Sequence, residues 1–246
     1  MLCDFHCHYF DETELENALK SSEKISISFY KQEDFEWFLS SKFINNSNIK
    51  ITVGAHPWFL DYSFFEYIKS FLSTRDGKNI RKVVSGIGEI GFDFLKGDFF
   101  NEKEKQEDFF LKQIDLALKN DLPIIIHNVK GFHFLVNHVD LLKKIKACVF
   151  HGFSGTYEEG MFFLKHGVNA YFSFGNNILK NHSKSIECLK KLPITTIGLE
   201  TDSENGKLIE ISNVYKKAME VRNIEKQENI NNFILQLKTN FDFIFT

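Results

Sequence analysis

From one end of the chain to the other, short runs of β-branched and aromatic residues alternate with longer amphipathic stretches. Strand-like runs fall at about 2–8, 24–29, 49–55, 83–89, 123–127, 147–151, 168–174 and 194–200. Helix-like stretches fall at about 12–20, 32–42, 62–74, 103–120, 132–145, 156–166 and 177–191, followed by a helical C-terminal part from about 207 to 239. The stretch 103–120 is the clearest, because Phe110, Ile114, Ala117 and Leu118 recur at helical spacing while Lys and Glu fill the other face. Alternating strands and helices imply a parallel sheet covered by helices. Eight such units in 246 residues match an α/β TIM (β/α)8 barrel. An open doubly wound sheet has the same rhythm, so the placement of the polar residues has to separate the two.

Composition narrows the class further. With 43% apolar residues, 26% charged residues and a net charge of −3, the chain is globular rather than disordered. Apolar runs such as 122–126 fall far short of the roughly 18 residues that span a bilayer. The start, Met-Leu-Cys-Asp-Phe-His, carries an acid where an export signal would place basic residues, so we expect no membrane partner and a cytoplasmic location. Cys3, Cys7, Cys148 and Cys188 form neither a C-x-x-C pair nor a disulfide framework, as in a reducing compartment. Three prolines and no Gly/Ser-rich linker leave one domain over residues 1–246. No global basic field exists to gather long nucleic acid, so any polyanion must be held locally.

The informative polar residues sit at strand ends. Strict alternation along the first strand turns Asp4, His6 and His8 to one face and Phe5 and Cys7 to the other. Two imidazoles spaced in this way can grip one metal ion. Glu89 closes the fourth run, His127 the fifth and His151 the sixth, while Asp202 follows the eighth. One such residue is commonly a solvated cap, but a barrel brings the C-terminal ends of all its strands to one mouth. Four histidines and two acids gathered there offer nitrogen and oxygen ligands suited to Zn²⁺, Mn²⁺, Fe²⁺ or a more weakly held Mg²⁺. They are too many for one tetrahedral ion and suit two ions sharing Glu89.

The blocks Asp4-Phe5-His6-Cys7-His8, Gly54-Ala55-His56-Pro57, Gly86-Ile87-Gly88-Glu89-Ile90-Gly91-Phe92-Asp93, Leu122-Pro123-Ile124-Ile125-Ile126-His127, Phe150-His151-Gly152-Phe153-Ser154-Gly155 and Leu199-Glu200-Thr201-Asp202 resemble, in order, the signatures of TatD-type metal-dependent deoxyribonucleases. The resemblance implies a TIM-barrel hydrolase of the amidohydrolase superfamily that cuts phosphodiester bonds, typically as an exonuclease on DNA ends. It implies His6, His8, Glu89 and Asp202 around one divalent ion and Glu89, His127 and His151 around the other. His56 would sit by the substrate phosphate, and Asp93 would orient a ligand or cap a loop. Two ions about 3.5–4 Å apart activate a water and clamp the attacked phosphoryl group. Asp202 would take the proton and His56 would hydrogen-bond a nonbridging oxygen.

Other motifs are assigned no chemistry. Ser154 lacks a complete G-x-S-x-G elbow, and the Gly86–Gly91 glycines open no helix for a dinucleotide. His133, His138, His166 and His182 lie on helical stretches away from strand ends. Trp58 and Phe59, or Phe92 and Phe94, can stack a base at the mouth, although core packing is the ordinary fate of such rings. The chain also departs from its apparent relatives. An arginine that many carry two positions after the fifth-strand histidine is replaced by Val129, leaving Lys130 as the nearby cation. Trp58 stands where a second histidine is common, Glu204 where proline is common, and the segment 203–213 is short. Trp58 and Lys130 are therefore candidate substrate contacts. Some relatives belong to phage-defence gene clusters, which suggests protein partners. Two other readings remain: a deacylase or other ester or amide hydrolase on the same barrel, and a non-catalytic subunit stabilised by metal.

Overall fold

The computed structural model describes residues 2–73, 83–95, 102–203 and 209–246. Eight strands form one sheet in sequence order, each parallel to the next: β1 (Cys3–Cys7), β2 (Lys24–Phe29), β3 (Ile49–Val53), β4 (Gly86–Asp93), β5 (Ile124–Val129), β6 (Cys148–Phe150), β7 (Ala170–Phe174) and β8 (Ile197–Leu199). The sheet curls into a nearly closed TIM barrel. Its seam is held where Asp202 N donates to His6 O at 3.0 Å and His8 N donates to Ser203 O at 2.7 Å. The Asp4 carboxylate adds to the seam by accepting from Thr201 N at 2.9 Å and Thr201 Oγ1 at 2.7 Å. Glu204 and the rest of 204–208 lie outside the described residues.

The described helices are α1 (Glu12–Ser21), α2 (Gln32–Ser40), α3 (Tyr62–Ser73), α4 (Lys103–Asn120), α5 (Phe132–Asn137), α6 (Val139–Leu142), α7 (Tyr157–Lys165), α8 (Asn176–Leu179), α9 (Ser183–Lys191), α10 (Ile211–Val221) and α11 (Gln227–Phe245). Several of the expected long helices are split. Asn181 and Asn223 take left-handed φ values of 55° and 54°, which end one helix and let the next start in a new direction. In α4 the apolar stripe buries Phe109, Phe110, Ile114 and Ala117, and the helix ends at Asp121 with φ 51°. Truncating one of these buried phenylalanines to Ala would remove about 3–5 kcal/mol.

Two expectations about strands need correction. The register of β1 shifts between Asp4 and Cys7, so strict alternation fails there. Phe5 packs edge-on against Phe241 of α11, in a cluster with Cys3, Ile125 and Val149, whereas Cys7 belongs to a separate cluster with Leu15 and Ile27. Because β1 and β5 face each other across an eight-stranded cylinder, the first cluster fills the barrel interior. The end of α11 closes it from below. The second correction concerns Glu89 and His127, which sit inside β4 and β5 rather than closing them. Glycines carry β4 onward: a Cβ on Gly88 would come within 2.6 Å of Ile125 Cβ, so only glycine permits this approach.

The same crowding sets a stability test. At Gly91 (φ 136°) an added Cβ would lie 2.1 Å from His127 O, whereas at Gly167 (φ 80°) nothing lies within 4 Å. Gly167→Ala should cost only the backbone strain, about 1–2 kcal/mol. Gly91→Ala adds a clash with the β5 backbone and should lower the melting temperature at least twice as far, at roughly 2–4 °C per kcal/mol. Equal shifts in thermal denaturation would refute the tight β4–β5 approach.

Candidate metal centre

At the C-terminal mouth of the barrel, a cleft of about 270 Å³ is lined by His8, Tyr30, His56, Trp58, Phe59, Glu89, His127, His151 and Asp202. Glu89 stands at its floor, 3% exposed. Its two oxygens face different partners. Oε1 lies 2.9 Å from His8 Nε2 and 3.2 Å from His6 Nε2. Oε2 lies 2.7 Å from His151 Nε2, 3.3 Å from His127 Nδ1 and 3.6 Å from His56 Nε2. Asp202 brings Oδ1 to 3.6 Å from His6 Nε2 and 3.8 Å from His8 Nε2. Asp202 holds a left-handed φ of 50°, a conformation that Asp tolerates better than most residues, and its side chain is 43% exposed.

Hydrogen bonding on the far side of His8 and His127 fixes which nitrogen of the neutral ring carries the hydrogen. His8 Nδ1 donates to the Ser28 carbonyl at 3.0 Å, so in the neutral ring Nε2 carries the lone pair; against the lowering by burial, the Glu89 carboxylate raises His8 above the ordinary histidine value. His127 Nε2 donates to Asp93 Oδ2 at 3.1 Å, so in the neutral ring Nδ1 carries the lone pair; against the lowering by burial, Asp93 and Glu89 raise His127 above the ordinary histidine value. His6 Nδ1 meets Ser28 Oγ at 3.2 Å. The inward nitrogens then crowd together, His6 against His8 at 3.1 Å and His127 against His151 at 3.0 Å. At these separations the ring nitrogens and carboxylate oxygens need positive charge among them, supplied by ring protons or by a bound cation. A divalent cation with nitrogen and oxygen ligands is the species that fits such a donor set. Among the described residues, three groups have donor atoms that all lie within 4.8 Å of one another: His6, Glu89 and His151; His6, His8 and Asp202; and His56, Glu89 and His127.

His56 turns its N–H, rather than a lone pair, to the cleft. Its Nδ1 accepts the Trp58 backbone N–H at 3.1 Å, so its Nε2 carries the hydrogen and points into the cleft as a donor. Burial, with the His127 and His151 charges adding to it, pushes His56 down to about 3. The imidazole is therefore neutral. Burial alone would raise Glu89, but the surrounding imidazoles, His151 foremost, hold it well below the usual carboxylate range. His151 moves well above the ordinary histidine value despite its burial, because the Glu89 and Glu200 carboxylates flank it.

The structure thus gathers His6, His8, His56, Glu89, His127, His151 and Asp202 around one cleft, with Trp58 on its wall. Lys130 is not among the lining residues; it is exposed one residue past β5, with φ 57°. Phe92 and Phe94 are buried in the core. Asp93 accepts from Trp58 Nε1 at 2.8 Å as well as from His127, and it lines no part of the cleft.

Several contributors carry no role in the sequence reading. The fully buried Glu200 accepts from Gly152 N at 2.5 Å and approaches His151 Nδ1 at 3.7 Å. From α4, Gln113 pairs with Ala55 N and O at 2.6 and 3.2 Å, and Gln106 pairs with Asp93 N and O at 2.9 and 3.0 Å. These amides fix the backbone beside His56 and at Asp93. Tyr30, one residue past β2, is a wall of the cleft. Tyr30 and Glu200 obey the same strand-end rule that singled out the histidines. The glutamines lie on the buried face of a helix, and nothing in the sequence distinguishes them.

A parallel barrel with a histidine and carboxylate cluster at its C-terminal mouth defines a metal-dependent hydrolase. The family model described as TatD related DNase matches residues 3–246. The chain belongs to that family. It is 28% identical over 217 residues to an uncharacterized metal-dependent hydrolase, YjjV, of Escherichia coli K12, covering 82% of this chain and 80% of that one. It is 32% identical over 132 residues to deoxyribonuclease TATDN3 of Homo sapiens, covering 51% of this chain and 45% of that one. The crystal structure of the Escherichia coli YjjV protein superposes with a TM-score of 0.82 at 24% identity, over 99% of this chain and 97% of that one. A TatD family hydrolase from Entamoeba histolytica superposes with a TM-score of 0.78 at 19% identity, over 99% and 97% of the two chains.

Asp93 sets the ring orientation of His127, and carboxylates in that position typically account for 10- to 100-fold in metal affinity. Asp93→Ala should therefore weaken Mn²⁺ or Zn²⁺ binding by about that factor in competition with a chromogenic chelator, with the circular dichroism spectrum unchanged. Wild-type affinity in the variant would remove Asp93 from the centre.

Proposed function

We propose that this chain hydrolyses phosphodiester bonds of DNA at single-stranded or frayed ends, as one barrel unit with two divalent ions of Zn²⁺, Mn²⁺ or Mg²⁺ at its mouth. The observation that carries this reading is the division of Glu89 between two groups of imidazoles, one at each carboxylate oxygen. Family membership supports it, as does the name deoxyribonuclease borne by the human relative. His6, His8, Glu89 and Asp202 would hold one ion, and Glu89, His127 and His151 the other. Bound there, the ions would offset the charge of the phosphodiester and lower the pKa of a water.

The chain's own groups complete the reaction. A phosphodiester is anionic and poorly electrophilic, so groups aimed at charge developing in the transition state matter most. His56 is neutral with Nε2–H directed into the cleft, so it donates to a nonbridging phosphate oxygen. The part-exposed Asp202 carboxylate reaches both the cleft and solvent, so it accepts the proton of the attacking water and releases it to solvent, while the P–O bond to the leaving sugar oxygen breaks and that oxygen takes a proton from solvent. Trp58 walls the cleft beside His56, their rings 5.0 Å apart, and is a substrate contact. Lys130 contacts only that part of a substrate extending beyond the cleft. Among the described residues no helix is long and apolar enough to cross a membrane. The four cysteines are buried and unpaired, which suits a reducing cytoplasm.

End-labelled single-stranded DNA should be shortened by the protein with Mn²⁺, Mg²⁺ or Zn²⁺, and not in EDTA. His6→Ala should lose at least 100-fold. Asp202→Asn should abolish turnover while keeping at least part of the bound metal, measured by elemental analysis. Full activity of Asp202→Asn would take that residue out of the mechanism. Turnover of an aminoacyl ester with DNA left intact would replace this reading with a deacylase.

A further inference from the structure

A second cavity, of about 480 Å³, adjoins the catalytic cleft and shares two of its walls, Tyr30 and Phe59. These two rings stack almost in parallel, with centroids 5.2 Å apart and planes at 7°. They border the histidine cluster directly, because the Tyr30 ring centroid lies 5.5 Å from that of His8 and 6.0 Å from that of His56. Phe59 is 44% exposed, a large apolar ring left in contact with water beside the site. It is not loose: Phe59 N donates to His56 O at 2.7 Å and Asp61 N donates to Phe59 O at 2.9 Å, so one tight turn presents both His56 and the ring. Of the residues lining the outer cavity, Lys31 is cationic while Glu33 and Asp61 are acidic. That balance does not favour a phosphate, whereas the flat, exposed ring of Phe59 favours an uncharged aromatic face.

We propose that Phe59, backed by Tyr30, and the cavity behind them form a nucleobase subsite that takes the base of the nucleotide adjoining the scissile linkage. The assignment rests on the phosphodiesterase reading above and adds a requirement to it: the substrate must present an unpaired, unstacked base next to the bond that is cut. Base stacking on an aromatic side chain is tolerant of sequence, so this subsite selects single strands over paired ends without selecting a sequence. The volume exceeds what one base fills and admits either a purine or a pyrimidine.

The test compares wild type, Phe59→Leu and Phe59→Tyr on a short single-stranded oligonucleotide and on a set of the same oligonucleotides with an abasic residue at each position in turn. Cleavage with Mn²⁺ and binding by fluorescence anisotropy are measured for each pair. Phe59→Leu should lower kcat/KM and affinity about tenfold on the intact strand, and Phe59→Tyr should restore both. One abasic position adjoining the cut should cost the wild type the same factor and cost Phe59→Leu nothing further. Equal behaviour of the Leu and Tyr variants, or losses from Phe59→Leu and the abasic residue that multiply, would overturn the subsite. Binding that depends on Phe59 without any cleavage would retain the subsite and refute the phosphodiesterase reading. Cleavage indifferent to Phe59 would do the reverse, and a protein that neither binds nor cuts the strand would refute both.

Discussion

A carboxylate removed from water is unfavourable unless positive charge or hydrogen-bond donors surround it. Glu89 is such a group, buried in the middle of β4 with an imidazole nitrogen within 3.3 Å of each of its oxygens. The backbone around it is arranged to bring those nitrogens close. Glycines at 88 and 91 let β4 press against β5, which sets His127 beside it, and the bonds that close the barrel seam set His6 and Asp202 opposite. Because a barrel collects the C-terminal ends of all its strands, side chains almost 200 positions apart in sequence meet around this one carboxylate.

Behind the donors stands a layer that decides their protonation. A carbonyl on His8, Asp93 on His127 and the Trp58 amide on His56 each hold one ring nitrogen, and so determine, for the neutral rings, whether the other faces the cleft as a lone pair or as an N–H. The distinction between candidate ligands and a candidate substrate donor follows from these contacts, since His56 differs from His8 and His127 in the nitrogen it turns to the cleft and not in residue type. Gln106 and Gln113 of α4 then brace the loops carrying Asp93 and His56 through paired amide bonds to the backbone. Placement on strand ends and buried helix faces keeps such a constellation rigid.

The strand–helix rhythm made the barrel legible, because hydrophobic periodicity survives in a single sequence. The strand-end rule found the residues that line the cleft from β1, β5 and β6. It misplaced Glu89 because a glycine-rich run resembles a loop, whereas here glycine is what allows β4 to continue between its neighbours, and it misplaced His127 because the polar Asn128 that follows reads as the end of the apolar run although β5 continues to Val129. It also misjudged the face of Phe5, since the irregularity in β1 leaves no mark in the sequence. Gln106, Gln113 and Glu200 escaped for another reason. Their roles are hydrogen bonds to partners 13, 58 and 48 residues away, and only the folded chain brings these together.

Whether one carboxylate divides two cations is tested most directly by an anomalous-difference map from crystals of the Mn²⁺-loaded protein. Two peaks are predicted, about 3.5–4 Å apart, with Glu89 Oε1 on one and Oε2 on the other, the first also touching His6, His8 and Asp202 and the second His127 and His151. A single peak, or a peak seated on His56 with the Glu89 carboxylate turned away, would contradict it.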